Sequence, residues 1–468
     1  MSMTTDKTSS PFRPAPAERR CRAGRAETPA ARDGAAWKSK EAGGDEAARD
    51  DGGTRLSRQA VLLLVVNGLF AAATAVSGTF VNVFLWKTAN ELTLIGWFTV
   101  ATYLTHALTF LLAGKWVKEH NKMNCLRLGV AMSAVFYLVV LLLKKQAVHY
   151  VFVLGVLQGF ALGLFWLAFN VVYFEITGPD NRDRFNGWAG LLSSLSGMTA
   201  PWVSGFLITR MEGMAGYLLV FAISLAIFVI AAVFSFFLRK RKVTGKYDWK
   251  YGVRQLRGEG NPWRRAVPAS VSQGVREGVF AFLISLLVYI VTSDEMKLGN
   301  YWLITSAVGL FSFWLAGKLL KPSWRNAAML SGTAAMIAVI LPFFWDVNYT
   351  TLLVFGIGTA LFMPIYTIPL TSTIFDLIGR NRDSAAHRVE HVVLRELALN
   401  TGRVAGTLVF IAVIGWRHTE QTLNWLLLGI GSFPLVSWLF MRSLFKDGYR
   451  AEGAESGDER RRRFLAKN

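Results

Sequence analysis

The sequence predicts an all-α membrane protein of twelve transmembrane helices in two six-helix bundles, with the N- and C-termini cytoplasmic. Three observations predict it. Apolar residues fill 53% of 468 positions while Asp, Glu, Lys and Arg hold 18%, and they gather in runs of about twenty, the length a helix needs to cross roughly 30 Å of hydrocarbon. A group of loop residues in the first half recurs 203 positions later in the second. Lys and Arg crowd into alternate loops, so the two sides of the membrane are told apart by charge.

The apolar runs fall near 58–86, 92–114, 124–143, 148–174, 186–209 and 214–238, then 268–292, 297–320, 327–345, 350–376, 388–415 and 421–445. Backbone polar groups cannot go unsatisfied in lipid, so such runs read as helices rather than open strands. Loops on one side carry 22 Lys/Arg and those on the other 6. That bias places both termini and the middle loop in the cytoplasm, and an even number of spans agrees with it.

The expected organisation is a cytoplasmic tail 1–57, a bundle 58–238, a basic middle loop 239–267, a second bundle 268–445 and a charged tail 446–468. The first tail has no apolar stretch resembling a signal peptide, and its 11 basic and 9 acidic residues give it nothing to bury, so disorder is expected. Cys21 and Cys125 are too few and too far apart for a disulfide framework or a metal site. The net charge of +20 does not point to nucleic acid, because it lies between membrane spans. The middle loop opens with Arg239-Lys240-Arg241-Lys242 and carries Tyr247, Trp249, Tyr251 and Trp263, which suits a strap lying on anionic lipid.

The repeat divides the chain. Leu112-Ala113-Gly114-Lys115, Lys118 and Gly129 are echoed by Leu315-Ala316-Gly317-Lys318, Lys321 and Gly332. A second echo sets Phe174-Glu175-Ile176-Thr177-Gly178 and Asn181-Arg182-Asp183 against Phe375-Asp376-Leu377-Ile378-Gly379 and Asn381-Arg382-Asp383. Each half holds an even number of spans, so the halves run parallel.

With six plus six spans, a basic middle loop and a Gly/Lys loop after spans two and eight, residues 58–445 resemble the major facilitator superfamily, and among its members the sugar-transporter-like bacterial proteins. The resemblance implies two bundles that rock about a central cavity, hence a secondary carrier of a small organic solute, with proton-coupled efflux as one mode. Uptake of sugar-like solutes, a lipid or glycolipid flippase and a non-transporting receptor are the alternatives. Membrane lipids and the solute are the expected partners, the monomer the expected state, and the cell's inner membrane the expected location. No nucleotide loop, metal spacing or nucleophile triad supports an enzyme, an ATP-driven pump or a cofactor.

The family's loop signature is matched at Gly114 and Lys122, but Lys118 stands where it has an acid, Glu119 where it has Arg and Asn121 where it has Gly. Lys115, Gly317 and Lys318 complete the paired loops, as latch residues or simply as charges that set topology. Gly155 stands where proton-linked members carry an Arg before Gln158-Gly159, and Gly159 and Gly163 suit close helix packing. Ala200-Pro201-Trp202-Val203-Ser204-Gly205 resembles the antiporter signature of span five.

Charge inside a span is expensive and is a functional candidate. In span eleven, Glu396, Asn400 and Arg403 share a helix face. They offer an anion-holding Arg403 and a proton-exchanging Glu396, or else a structural network. Arg276 and Glu277 in span seven read as a gating ion pair, and Pro364 and Pro369 as a break in span ten. Spans one, four, seven and ten line the cavity in the family, which implies Asn67, Asn170, Gln273 and Tyr366 as cavity residues. Helix–helix hydrogen bonding is the other use of such residues.

Overall fold

Every apolar run forms a helix in the computed structural model, which describes residues 56–177, 181–239, 245–379, 384, 386–416 and 419–445. The expected tails, apart from residues 56 and 57, lie outside the described residues. So do Cys21, Lys240-Arg241-Lys242, Gly178, Arg380, Asn381, Arg382, Asp383 and Arg417.

The first six helices are α1 (Arg58–Ala89), α2 (Leu92–Glu119), α3 (Lys122–Leu143), α4 (Val151–Ile176), α5 (Arg182–Thr209) and α6 (Ala215–Phe236). The second six are α7 (Trp263–Thr292), α8 (Glu295–Leu319), α9 (Arg325–Ala338), α10 (Tyr349–Gly379), α11 (Arg388–Trp416) and α12 (Glu420–Gly431, resuming at 433–445 after a turn at Ser432). Capping side chains mark several starts. Ser57 accepts from the Ala60 amide, Asn121 from Met123, Asp294 from Met296 and Lys297, and Thr419 from Thr422. Left-handed Asn90 and Ser293 close α1 and α7.

Eleven described stretches are long and apolar enough to span a membrane, and one of them, Lys122–Tyr173, runs for 52 residues. As one helix it would measure about 78 Å, more than twice the hydrocarbon thickness. Lys144 at φ 47° and a 3-10 turn over Lys144–Tyr150 split it into α3 and α4, giving twelve spans. Pro364 and Pro369 do not break α10, which is helical throughout, since neighbouring helices tolerate proline in a membrane span. α7 starts at Trp263, five residues before the boundary expected from hydropathy.

The two halves pack alike. α1 lies against α5 and α6 and α4 against α2 and α3, while in the second half α7 lies against α11 and α12 and α10 against α8 and α9. Without a hydrophobic drive between helices, close approach depends on small residues. A Cβ on Gly129 would sit 2.5 Å from the Phe165 amide nitrogen, and one on the repeat-related Gly332 would sit 3.0 Å from the Tyr366 nitrogen. Gly159 and Gly163 press on Thr102 and Thr109 of α2. At Gly155 an added Cβ would meet the Phe98 carbonyl at 2.7 Å, so an Arg has no room there.

The middle loop departs from the expected lipid strap. A short helix, Tyr251–Arg257, docks on the start of α11. Tyr251 stacks on His387 and Trp263 on His391, and both Tyr251 and Trp263 are buried; Trp249 remains exposed. Tyr247 covers Gly114, where a Cβ would lie 3.1 Å from its ring. Protein aromatic faces take the place of lipid, because the end of α11 presents two histidines and the end of α2 presents a bare backbone.

Candidate functional site

The α7–α11 crossing builds the site. Gly274 and Gly278 on α7 meet Gly402 and Gly406 on α11, each pair spaced by four. Added Cβ atoms would fall 2.0 Å from the Leu399 carbonyl, 2.5 Å from the Arg403 carbonyl, 1.9 Å from the Val271 carbonyl and 2.5 Å from the Val275 carbonyl. Backbone-to-backbone contact of this kind brings the flanking side chains of the two helices into register.

A charge network grows from that contact. Arg403 Nη2 donates to Glu277 Oε2 at 2.9 Å, and Arg403 Nη1 donates to Asn400 Oδ1 at 3.1 Å. Glu396 Oε2 lies 4.0 Å from Arg403 Nη1 and its other oxygen pairs with Arg395 at 3.1 Å. Gln273 donates to Glu277 Oε1 at 2.7 Å. The side chains of Arg403, Glu277 and Glu396 are 17%, 25% and 12% exposed. Across the bundle interface the Arg403 guanidinium lies 5.3 Å from the ring centre of Tyr103 on α2. The network therefore belongs to the second half and is capped by the first.

Arg276 takes a different partner from the one expected. Glu277, its neighbour in sequence, turns to Arg403 instead, because residues adjacent on a helix point about 100° apart. Arg276 faces α10, with Nη1 3.6 Å from Met363 Sδ and its guanidinium 4.7 Å from the centre of the Phe280 ring. Tyr366, on the same side, is buried. Among the described residues no hydrogen bond joins Asn67, which is buried in α1, or the half-buried Asn170 to the charge network.

Ion pairs tie the halves together at both ends. At the middle-loop end Lys118 of α2 pairs with Glu390 of α11, both almost wholly enclosed, and the Asp248 amide donates to the same carboxylate at 3.1 Å. The Tyr247 amide donates to Glu119 at 2.9 Å. Burial, reinforced by Glu390, pushes the Tyr247 phenol up from its ordinary value. At the opposite end Lys87 of α1 pairs with Glu295 of α8 at 2.9 Å, and the Tyr217 hydroxyl donates to Glu295 at 2.8 Å. α5 and α8 touch at that end too, where a Cβ on Gly205 would lie 2.5 Å from the Glu295 carbonyl.

The signature loops are used unequally. Gly114 is buried under Tyr247, whereas Gly317 is exposed with no atom within 4 Å of an added Cβ. Lys115 makes an exposed contact with Glu119, and Lys318 lies over Trp314. The repeat also supplies matched ion pairs, Lys122 with Glu175 in one half and Arg325 with Asp376 in the other. The Glu277–Arg403, Lys118–Glu390 and Lys87–Glu295 pairs join residues far apart in the chain and were not expected from the sequence. The paired Gly-x-x-x-Gly spacings in spans seven and eleven were the available signal for the first of them.

This architecture matches known proteins. The chain is 36% identical over 413 residues to a Bacillus subtilis (strain 168) protein described as "Uncharacterized protein YqgE", covering 87% of this chain and 96% of that one. Its fold is similar to that of a D-xylose-proton symporter, with a TM-score of 0.62 and 12% identity over 81% of this chain and 97% of the other. It is also similar to a bacterial homologue of the iron transporter ferroportin in an outward-facing state, with a TM-score of 0.58 and 14% identity over 84% of this chain and 100% of the other. The family model described as Major Facilitator Superfamily matches residues 62–386. The chain belongs to that superfamily and is a multi-pass membrane transporter rather than an enzyme.

Proposed function

We propose that this transporter is a proton-linked secondary carrier of a small organic solute, working by alternating access, with the α7–α11 network as its coupling centre. One observation carries the reading: an intramembrane cation, Arg403, is shared by two carboxylates of its own half and covered by an aromatic ring of the other half. Rocking of the halves moves Tyr103 off or onto that network. Protonation of Glu396 weakens its hold on Arg403 and so changes the free energy of one state relative to the other. The loop charges support an orientation with both termini and the middle loop cytoplasmic, in the inner membrane of the cell, with bundles at 58–238 and 263–445 working as a monomer.

Proteoliposomes loaded with a pH-sensitive dye test this. A panel of sugars, organic acids and amphiphilic cations is added under an imposed proton gradient. Solute-dependent proton movement is expected, abolished by a protonophore and lost in Glu396→Gln while Glu396→Asp retains part of it. Solute flux indifferent to the proton gradient, or full coupling in Glu396→Gln, overturns proton linkage.

A further inference from the structure

We infer that Arg276 is a binding site for the carboxylate of an organic monoanion. The residue is 5% exposed, and among the described residues neither Nε nor Nη2 has a hydrogen-bond partner. These two donors share one edge of the guanidinium, the edge that grips a carboxylate through two parallel N–H···O bonds. The remaining nitrogen, Nη1, is turned to Met363 Sδ.

Charge balance sets the valence. Around the α7–α11 crossing Arg276, Arg395 and Arg403 stand against Glu277 and Glu396, and both acids are engaged by Arg403 and Arg395. One positive charge is in excess, and it resides on Arg276. The Glu277 oxygens are taken by Arg403 and Gln273, and a guanidinium buried in a membrane protein with no paired carboxylate is disfavoured, so a ligand with a single negative charge completes the site. The Gln273 Oε1 atom, one turn away on α7, is likewise buried without a donor and suits a hydroxyl or amide on the same ligand. Phe280 and Met363 flank the guanidinium as apolar neighbours. An organic carboxylate therefore fits better than phosphate, which brings a second charge, or chloride, which cannot use the fork.

The role of this site in transport rests on the carrier reading, whereas binding is read at equilibrium without flux, so either can fail alone. Purified protein is melted in the presence of benzoate or butyrate, their neutral amides, phosphate and chloride at equal ionic strength. Either acid is expected to raise Tm above the level in its amide, phosphate or chloride. Arg276→Gln is expected to weaken acid binding by about ten- to a hundredfold, the loss of a charge-assisted bidentate contact. In chloride buffer Arg276→Met, which removes the uncompensated charge, is expected to melt at or above wild type. Equal stabilisation by acid and amide, an equal effect of chloride or phosphate, no response to either acid, an unchanged response in Arg276→Gln, or a lowered Tm in Arg276→Met would each overturn the assignment.

Discussion

Arg403 and Arg276 sit on facing helices close to the same crossing, yet they are handled in opposite ways. Arg403 is held by Glu277 and Asn400 and lies near Glu396, so removing Glu277 leaves its charge only the longer 4.0 Å contact. Breaking an enclosed pair from one side typically costs about 3–5 kcal/mol, while replacing both partners by apolar residues costs far less. Glu277→Gln is therefore expected to lower Tm by several degrees, and Glu277→Leu combined with Arg403→Leu to recover most of the loss. Equal destabilisation by the single and double variants would show that Glu277 contributes packing rather than charge. Glu396 lies farther from Arg403, at 4.0 Å, and its other oxygen is paired with Arg395 at 3.1 Å.

At the scale of helices, the membrane supplies no hydrophobic drive for packing, and backbone contact replaces it. The α7–α11 crossing uses both faces of a four-glycine contact, so even one methyl group has nowhere to go. Gly402→Ala is expected to destabilise by at least about 1–3 kcal/mol, the usual cost of overpacking, because the atom it meets is the Val271 carbonyl rather than a flexible side chain. Gly187→Ala in α5, which meets nothing within 4 Å, is the matched control and is expected to leave Tm unchanged. Similar shifts in the two variants would contradict the glycine crossing as the element that positions the network.

For the whole molecule, the two interbundle pairs define what has to open. The family signature expects an acid on the α2 side of the loop. This chain puts Lys118 there and Glu390 on α11, and the two meet. Lys118→Glu is expected to separate the middle-loop ends of α2 and α11, read as faster labelling of a cysteine placed at Val393, and Lys118→Glu with Glu390→Lys to slow labelling again. Labelling that ignores both changes would remove the pair from the gate. At the far end, Lys87 of α1 and Tyr217 of α6 both hold Glu295 of α8, so that contact too must break for the halves to part there.

Much of this was legible in one dimension. Hydropathy gave the spans because a lipid environment admits few backbone solutions, and the loop echoes gave the two halves because repeated folds reuse the same contacts, as the Gly129/Phe165 and Gly332/Tyr366 pairs show. Span eleven's charges stood out because burial in lipid is costly wherever it occurs. Spacing along one helix placed Asn400 and Glu396 beside Arg403, but its partner on another helix, Glu277, was not legible. Whether Arg276 or Arg403 takes Glu277, and whether the middle-loop aromatics rest on lipid or on His387 and His391, depends on how helices distant in sequence are rotated against one another. That rotation is decided by packing alone, at a few glycines where two backbones touch. Hydropathy and loop charge therefore set the frame and the number of spans, since lipid constrains every helix in the same way. Which charges meet was settled by how the helices turn against one another, which gave Glu277 to Arg403 and aimed Arg276 at α10.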